Sequence, residues 1–280
     1  MGTNMHMKMT RRSALVLASA PFLLPWRPAF AEEPAAYFNQ RDNASAMTID
    51  HGLWAGVLKA YLKPSPDGIN RFAYGKVSKS ARKDLSAYID AMSKVTVTKL
   101  SEREQRAFWA NVYNALTIAV VLDHYPVKSI RDISISPGLF AVGPWGKKLL
   151  EVEGRSLSLD DIEHKILRKV WKDPRVHYSV NCASIGCPNL PAEPFTGATL
   201  EKMLDEGARA YVNHPRGVSV DANGRVKASQ IYKWYAEDFG SSDANVLAHL
   251  RQYAAAPLRT KLEQAKSISG YDYDWSLNEA

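Results

Sequence analysis

The stretch from Ser101 to Pro126, SEREQRAFWANVYNALTIAVVLDHYP, constrains the fold more than any other part of the chain. Its apolar residues recur at helical spacing. Ser101 and Glu104 stand three apart as a capping-box pair, and Pro126 blocks continuation. The spacing predicts one helix from Ser101 to about His124. Phe108, Trp109, Val112, Leu116, Ile118, Val120 and Val121 leave little room for a solvated stripe, so the helix has to run through a core. Asn111 and Asn114 interrupt the run, which is too short for the ~20 apolar residues of a membrane span.

Around this helix the other segments are shorter. Ile49–Leu62 has helical spacing at Leu53, Val57, Leu58 and Leu62, and KPSPDG ends it before a short strand, INRFAY. Ser80–Met92 reads as an amphipathic helix. KKLLEVEGRSLSL reads as a hairpin turning at Glu153-Gly154, after which Ser158 caps LDDIEHKILRKVW with Asp160 and Asp161 in its first turn. RVHYSV is a β-type run, Thr199–Asn213 is helical, and VSVDANGRVKAS is a hairpin with Asn223-Gly224 at its tip. SQIYKWYAEDF and DANVLAHLRQY read as helices, and YDYDWSLN closes the chain. The expected fold class is α+β: a predominantly helical single domain with a small, mainly antiparallel β-sheet.

The first 31 residues stand apart. Arg11 and Arg12 precede the apolar run SALVLASAPFLLPW, and a small-x-small site, Ala29–Ala31, follows. That pattern predicts a secretory signal peptide cleaved after Ala31. The arginine pair fits a twin-arginine signal, with Ala14 where an aromatic is usual; a Sec signal is the alternative. The expected domains are therefore a leader over 1–31 and one domain over 32–280, placed in the periplasm or secreted. Of the +7 formal charge on 280 residues, the leader contributes four cations and no acid, leaving 32 bases against 29 acids, or +3. Nothing in that balance argues for nucleic acid. No cofactor is expected, and the partner class is an unidentified small-molecule or peptide ligand.

The chemistry-bearing residues fall in three places. Asn111 and Asn114 share one helix face and are expected to be buried, either bonding a crossing loop or lining a pocket. Glu163 and His164 sit on an amphipathic helix with apolar face Leu159, Ile162, Ile166 and Leu167; His164 is off the centre of that face. The only cysteines, Cys182 and Cys187, stand in HYSVNCASIGCPNL with His177 before them and Ser184 between. The pair can be a disulfide that locks the loop, a thiolate activated by a nearby imidazole or by N–H groups, or part of a metal clip with His177. His51, His124, His214 and His249 read as structural. Trp145, Trp234, Tyr232 and Tyr235 could line a groove, though core positions suit most of them better.

FWANVYNALTIAVVLDHYPVKSIRDI, GRSLSLDDIEHKILR, DPRVHYSVNCASIGCPNL, IYKWYAEDFG and YDWSLN resemble, in order, successive blocks of the DUF547 family, a domain of unknown function. The resemblance runs from about Ala107 to Asn278. The family pattern falls on Trp109, Asn111, Tyr113 and Asn114, then on Asp161, Glu163 and His164, and finally on Cys182, Ser184, Cys187 and Pro188. Polar residues in otherwise apolar blocks imply a site. The make-up is also loosely similar to papain- or transglutaminase-type thiol enzymes, although the order here is Asn, His, Cys and those enzymes place Cys first.

The function expected on these grounds is a thiol-dependent hydrolase or acyl-transfer enzyme. Cys182 or Cys187 would be the nucleophile, His164 the base, and Glu163 or Asp161 its orienter; Asn111, Asn114, Ser184 and His177 would shape the substrate pocket. The alternatives are a non-catalytic periplasmic binding domain stiffened by a Cys182–Cys187 disulfide and, behind it, a thiol–disulfide protein.

Overall fold

The computed structural model describes residues 1–2, 33–138 and 140–280. The leader expected over 1–31 therefore lies, but for its first two residues, outside the described residues. Glu32–Ala280 forms one compact unit.

The central helix, α4 (Glu102–His124), follows α1 (Pro34–Phe38), α2 (Gly52–Tyr61), the antiparallel ladder of β1 (Leu62–Pro64) with β2 (Asn70–Phe72), and α3 (Lys79–Ser93). Nearly every residue of α4 from Glu104 to Leu122 is buried. Burying each large apolar side chain of this kind is worth about 1.5–3 kcal/mol. The helix begins and ends where Ser101 and Pro126 place it, but its capping box does not form. The Ser101 side chain caps nothing. Glu104 instead accepts from the N–H groups of Ile49 (2.8 Å) and Gly197 (2.7 Å), tying two distant loops to the helix start.

Beyond α4, β3 (Leu150–Val152) and β4 (Arg155–Leu157) form the expected hairpin. Its turn residues Glu153 and Gly154 both have positive φ, as a type I′ turn requires. Ser158 and Asp161 then exchange side-chain and main-chain bonds at the head of α5, which runs as a π-turn over Asp161–Leu167 and closes as an α-helix over Arg168–Trp171. RVHYSV does not extend. Asp173 caps Arg175, Pro174 takes the first helical position, and Pro174–Tyr178 winds into a 3₁₀ helix despite its β-type composition.

The last part holds α6 (Leu200–Val212), β5 (Val218–Val220), β6 (Val226–Ser229), α7 (Ile231–Trp234), α8 (Asp243–Tyr253), α9 (Ala256–Gln264) and β7 (Gly270–Asp272). Strand β6 pairs antiparallel with β5 and parallel with β7. The architecture is thus α+β, mostly helical, with small sheets that are mainly antiparallel. They are three separate sheets rather than one. Among the described residues no helix is long and apolar enough to cross a membrane.

Among the described residues two large apolar cores result, beside a small cluster of Ala107, Ala110, Phe195, Leu200 and Leu204. One gathers α2 to α5 and the β3–β4 hairpin; the other gathers α6, α8, α9 and the β5–β6–β7 sheet. Val180 and Ala183 pack into the first and Tyr178 into the second, so the chain carrying the cysteines runs along the seam.

Candidate active site

The cysteine loop is held from three sides before it does any chemistry. From α4, the Asn114 amide donates to the Ser179 carbonyl (2.8 Å) and accepts from Asn181 N–H (2.8 Å). Asn181 in turn donates to Pro188 O (2.7 Å) and accepts from Ala183 N–H (2.8 Å), closing the loop on itself. From the chain end, Ile185 N–H bonds Ser276 O, Gly186 N–H bonds Asp274 O and Asn278 N–H bonds Ala183 O, at 2.8 to 3.0 Å. The approach is so close that a Cβ on Gly186 would lie 2.8 Å from Asp274 N, which only glycine avoids. Ala183, between the cysteine and Ser184, has φ +60°, a left-handed conformation that costs a non-glycine residue about 1 kcal/mol and clusters at functional sites.

This scaffold brings the two sulfurs to 2.7 Å, unbonded and closer than free thiols pack. Cys182 N–H donates to Cys187 Sγ (3.0 Å), and the Tyr273 hydroxyl donates to it as well (3.2 Å). The same hydroxyl lies 3.1 Å from Cys182 Sγ and 2.8 Å from Ser184 Oγ. Burial opposes charge on Cys187, but the Cys182 thiol, the Tyr273 hydroxyl and the Cys182 N–H outweigh it and hold its pKa below that of an ordinary thiol. The Cys182 proton, engaged with Cys187 and buried, is held harder than usual. Of the pair, Cys187 is the thiol whose ionisation its surroundings favour.

The sulfurs open into a cavity of about 270 Å³. Glu163, His164, His177, Cys182 and Cys187 all line it. The π-turn of α5 places Glu163 and His164 on its wall while Ile162 and Ile166 stay in the core. Trp145, Trp234 and Tyr235, three of the four aromatics with core or groove as options, also line it; Tyr232 is core.

The two imidazoles differ in what holds them. His164 Nδ1 faces the Arg168 guanidinium at 3.3 Å, which can only donate, so this nitrogen is occupied as an acceptor. His164 Nε2 lies 3.6 Å from Asp160. His177 is buried and stacked on Tyr235, with ring centroids 4.3 Å apart. Its Nε2 sits 2.7 Å from the Asp238 carboxylate. Burial raises the Asp238 pKa, but hydrogen bonds from His177 and Arg168 bring it down to about 2. An ionised Asp238 requires the hydrogen on Nε2 and leaves Nδ1 as the acceptor of the neutral ring, the tautomer of a carboxylate-oriented general base.

Tyr113 and Pro188, also named from the sequence, line the cavity, whereas Asn111, Asn114, Asp161 and Ser184 do not. Asn111 binds Phe195 O (2.7 Å), Phe195 N–H (2.9 Å) and His51 Nε2 (3.1 Å), so its amide is spent on a crossing loop. Asn114 acts on the cysteine loop, as above. Asp161 faces Lys148, Lys165 and Ser158, not an imidazole. Ser184 touches the sulfur network from its edge. Asp238 and Tyr273 were not singled out from sequence; the only signal was their position in the blocks IYKWYAEDFG and YDYDWSLN. Among the described residues no three His, Cys, Asp or Glu side chains converge as a metal ion would require.

Residues 97–212 match the sequence model of DUF547, described as a protein of unknown function. The matched segment carries the amide helix, α5 and the cysteine loop, and supports the family suggested by the sequence blocks. No curated protein and no solved structure matches the chain.

Proposed function

Taking the DUF547 match as premise, we propose that this protein is a thiol-dependent enzyme that hydrolyses or transfers an acyl group in the cavity between its two cores. One observation carries the reading: a thiol with a lowered pKa and a carboxylate-oriented imidazole line the same hollow. Cys187 gives its proton to the imidazole as its sulfur attacks a carbonyl carbon, forming a C–S bond as the bond to the leaving group breaks. The imidazolium so formed returns that proton to the leaving group. Water or another acceptor then attacks the thioester, gives its proton to the imidazole, and releases the thiolate. The tautomer favours His177, oriented by Asp238, as the proton carrier over His164. The N-terminal leader pattern supports export, with the reaction outside the cytoplasm.

The test is single-turnover exposure to p-nitrophenyl acetate, read by intact mass. The expected result is an acetyl adduct that maps to Cys187, is lost in Cys187→Ser, and is slow to clear in His177→Gln. Thiols that alkylate readily with iodoacetamide yet never acylate would defeat the reading. The 2.7 Å separation of the sulfurs favours a second one, in which the pair cycles between dithiol and disulfide; ready exchange with glutathione would support it. A pair bridged permanently and inert to mild reductant would instead mark a binding domain.

A further inference from the structure

We propose that the hollow binds a primary ammonium group carried on an apolar or aromatic body, with Glu163 receiving the charge; this rests on the hollow being the active site and names the class of substrate it takes.

The charges come first. Among the described residues no lysine or arginine lines the cavity, whereas Asp160 and Glu163 do. The chain as a whole is basic, so the acidity is local. Glu163 is only 7% exposed, and a carboxylate taken that far from water needs a cation or several donors. It has neither. The Tyr235 hydroxyl hydrogen-bonds to it, and His164 Nδ1 stands 3.9 Å away, beyond bonding distance. The nearest guanidinium, Arg168, is committed to Asp238 (2.5 Å) and Glu237 (2.6 Å). Three carboxylates thus share one cation, and Glu163 is the one that faces the hollow.

The walls complete the case. Trp275 packs on Trp145 (5.8 Å, 69°) and on Trp234 (5.5 Å, 33°), and Tyr235 adjoins them on the lining. Such rings bury an apolar body and attract a cation held over their faces. A single aromatic ring on a short aminoalkyl chain fits about 270 Å³. In acyl transfer the amine would be the acceptor. After giving its proton to Glu163 it attacks the thioester carbon, the C–N bond forms as the C–S bond breaks, and the second amine proton passes to the imidazole.

The experiment compares phenethylamine, 2-phenylethanol and 3-phenylpropanoate on the full chain. Binding is read by tryptophan fluorescence and by protection of Cys187 from iodoacetamide. The amine should bind about tenfold tighter than the alcohol, the scale of a charge-assisted hydrogen bond, and the carboxylate weakest. Glu163→Gln should erase the preference and Asp160→Asn reduce it. Should Glu163→Gln fail to fold, the ligand series on the native chain still decides. An alcohol or carboxylate that binds as well as the amine overturns the inference. Fluorescence does not need a reactive thiol, so amine binding without acylation sinks the catalytic reading alone, and acylation without amine preference sinks only this one.

Discussion

The main-chain N–H of Cys182 points at the sulfur of Cys187, 3.0 Å away, so each cysteine helps set the charge of the other. The relationship is asymmetric. Cys187 receives a backbone donor that no side-chain change at position 182 removes. Cys182→Ser should therefore keep a thiol that titrates below the ordinary range, and Cys187→Ser should leave one that does not. Iodoacetamide kinetics between pH 5 and 10 check this. At neutral pH the Cys187→Ser protein should react about tenfold more slowly, one unit of pKa being one decade in thiolate.

Arg216 braces the loop that carries this sulfur. It donates to Ile185 O (3.3 Å) and Asn189 Oδ1 (2.7 Å), and among the described residues no carboxylate pairs with it. Burial lowers its pKa, while charge on Tyr211, and then on Cys187, works the other way. Arg216→Gln should raise the pKa of the fast thiol and Arg216→Lys should restore part of the shift. A loss of stability alone, with the thiol profile unmoved, would show that the guanidinium serves only the loop.

Asn114 holds two main-chain groups at once, so Asn114→Ala leaves the Ser179 carbonyl and the Asn181 N–H buried and bare. At about 1–3 kcal/mol for each orphaned group, the loss should be about 2–6 kcal/mol in denaturant melts, with thiol reactivity also disturbed. Asn111→Ala should cost a similar amount and leave the thiol kinetics as they were, since its partners are on another loop.

His249 governs an acid limb. Burial lowers its pKa to about 4, and its Nε2 lies 2.8 Å from the Tyr178 hydroxyl. The unfolded chain takes a proton near 6.5 that the folded chain refuses until about 4, so stability falls as pH drops through that window. The loss amounts to about 2–3 kcal/mol by pH 4, and His249→Gln should flatten it by about one proton. Thermal melts from pH 7 to 4 read the slope.

Elements with strong local punctuation were legible in the sequence. The helix between Ser101 and Pro126 and the hairpin at Glu153-Gly154 carry their own stop and turn signals. Where a distant partner competes, local reading fails. Glu104 leaves its capping box because two N–H groups from Ile49 and Gly197 outbid the Ser101 backbone, and Pro174 turns a β-type run into a 3₁₀ turn. The site was half legible. Cys182, Cys187, Glu163, His164 and His177 could be named because polar residues in apolar blocks stand out. Which histidine has a carboxylate behind it depends on Asp238, about sixty positions along, and no spacing rule reaches that far.

The stretch from Tyr273 to Asn278 also carries a temporal consequence. Because it supplies the phenol at the sulfurs and the strap behind Gly186, and because Asn278 is gripped by Phe72 and Tyr74 from the opposite end of the domain, the last turn of the chain has to dock before the thiol is tuned. A molecule with this stretch undocked lacks both the Tyr273 phenol at its sulfurs and the strap behind Gly186.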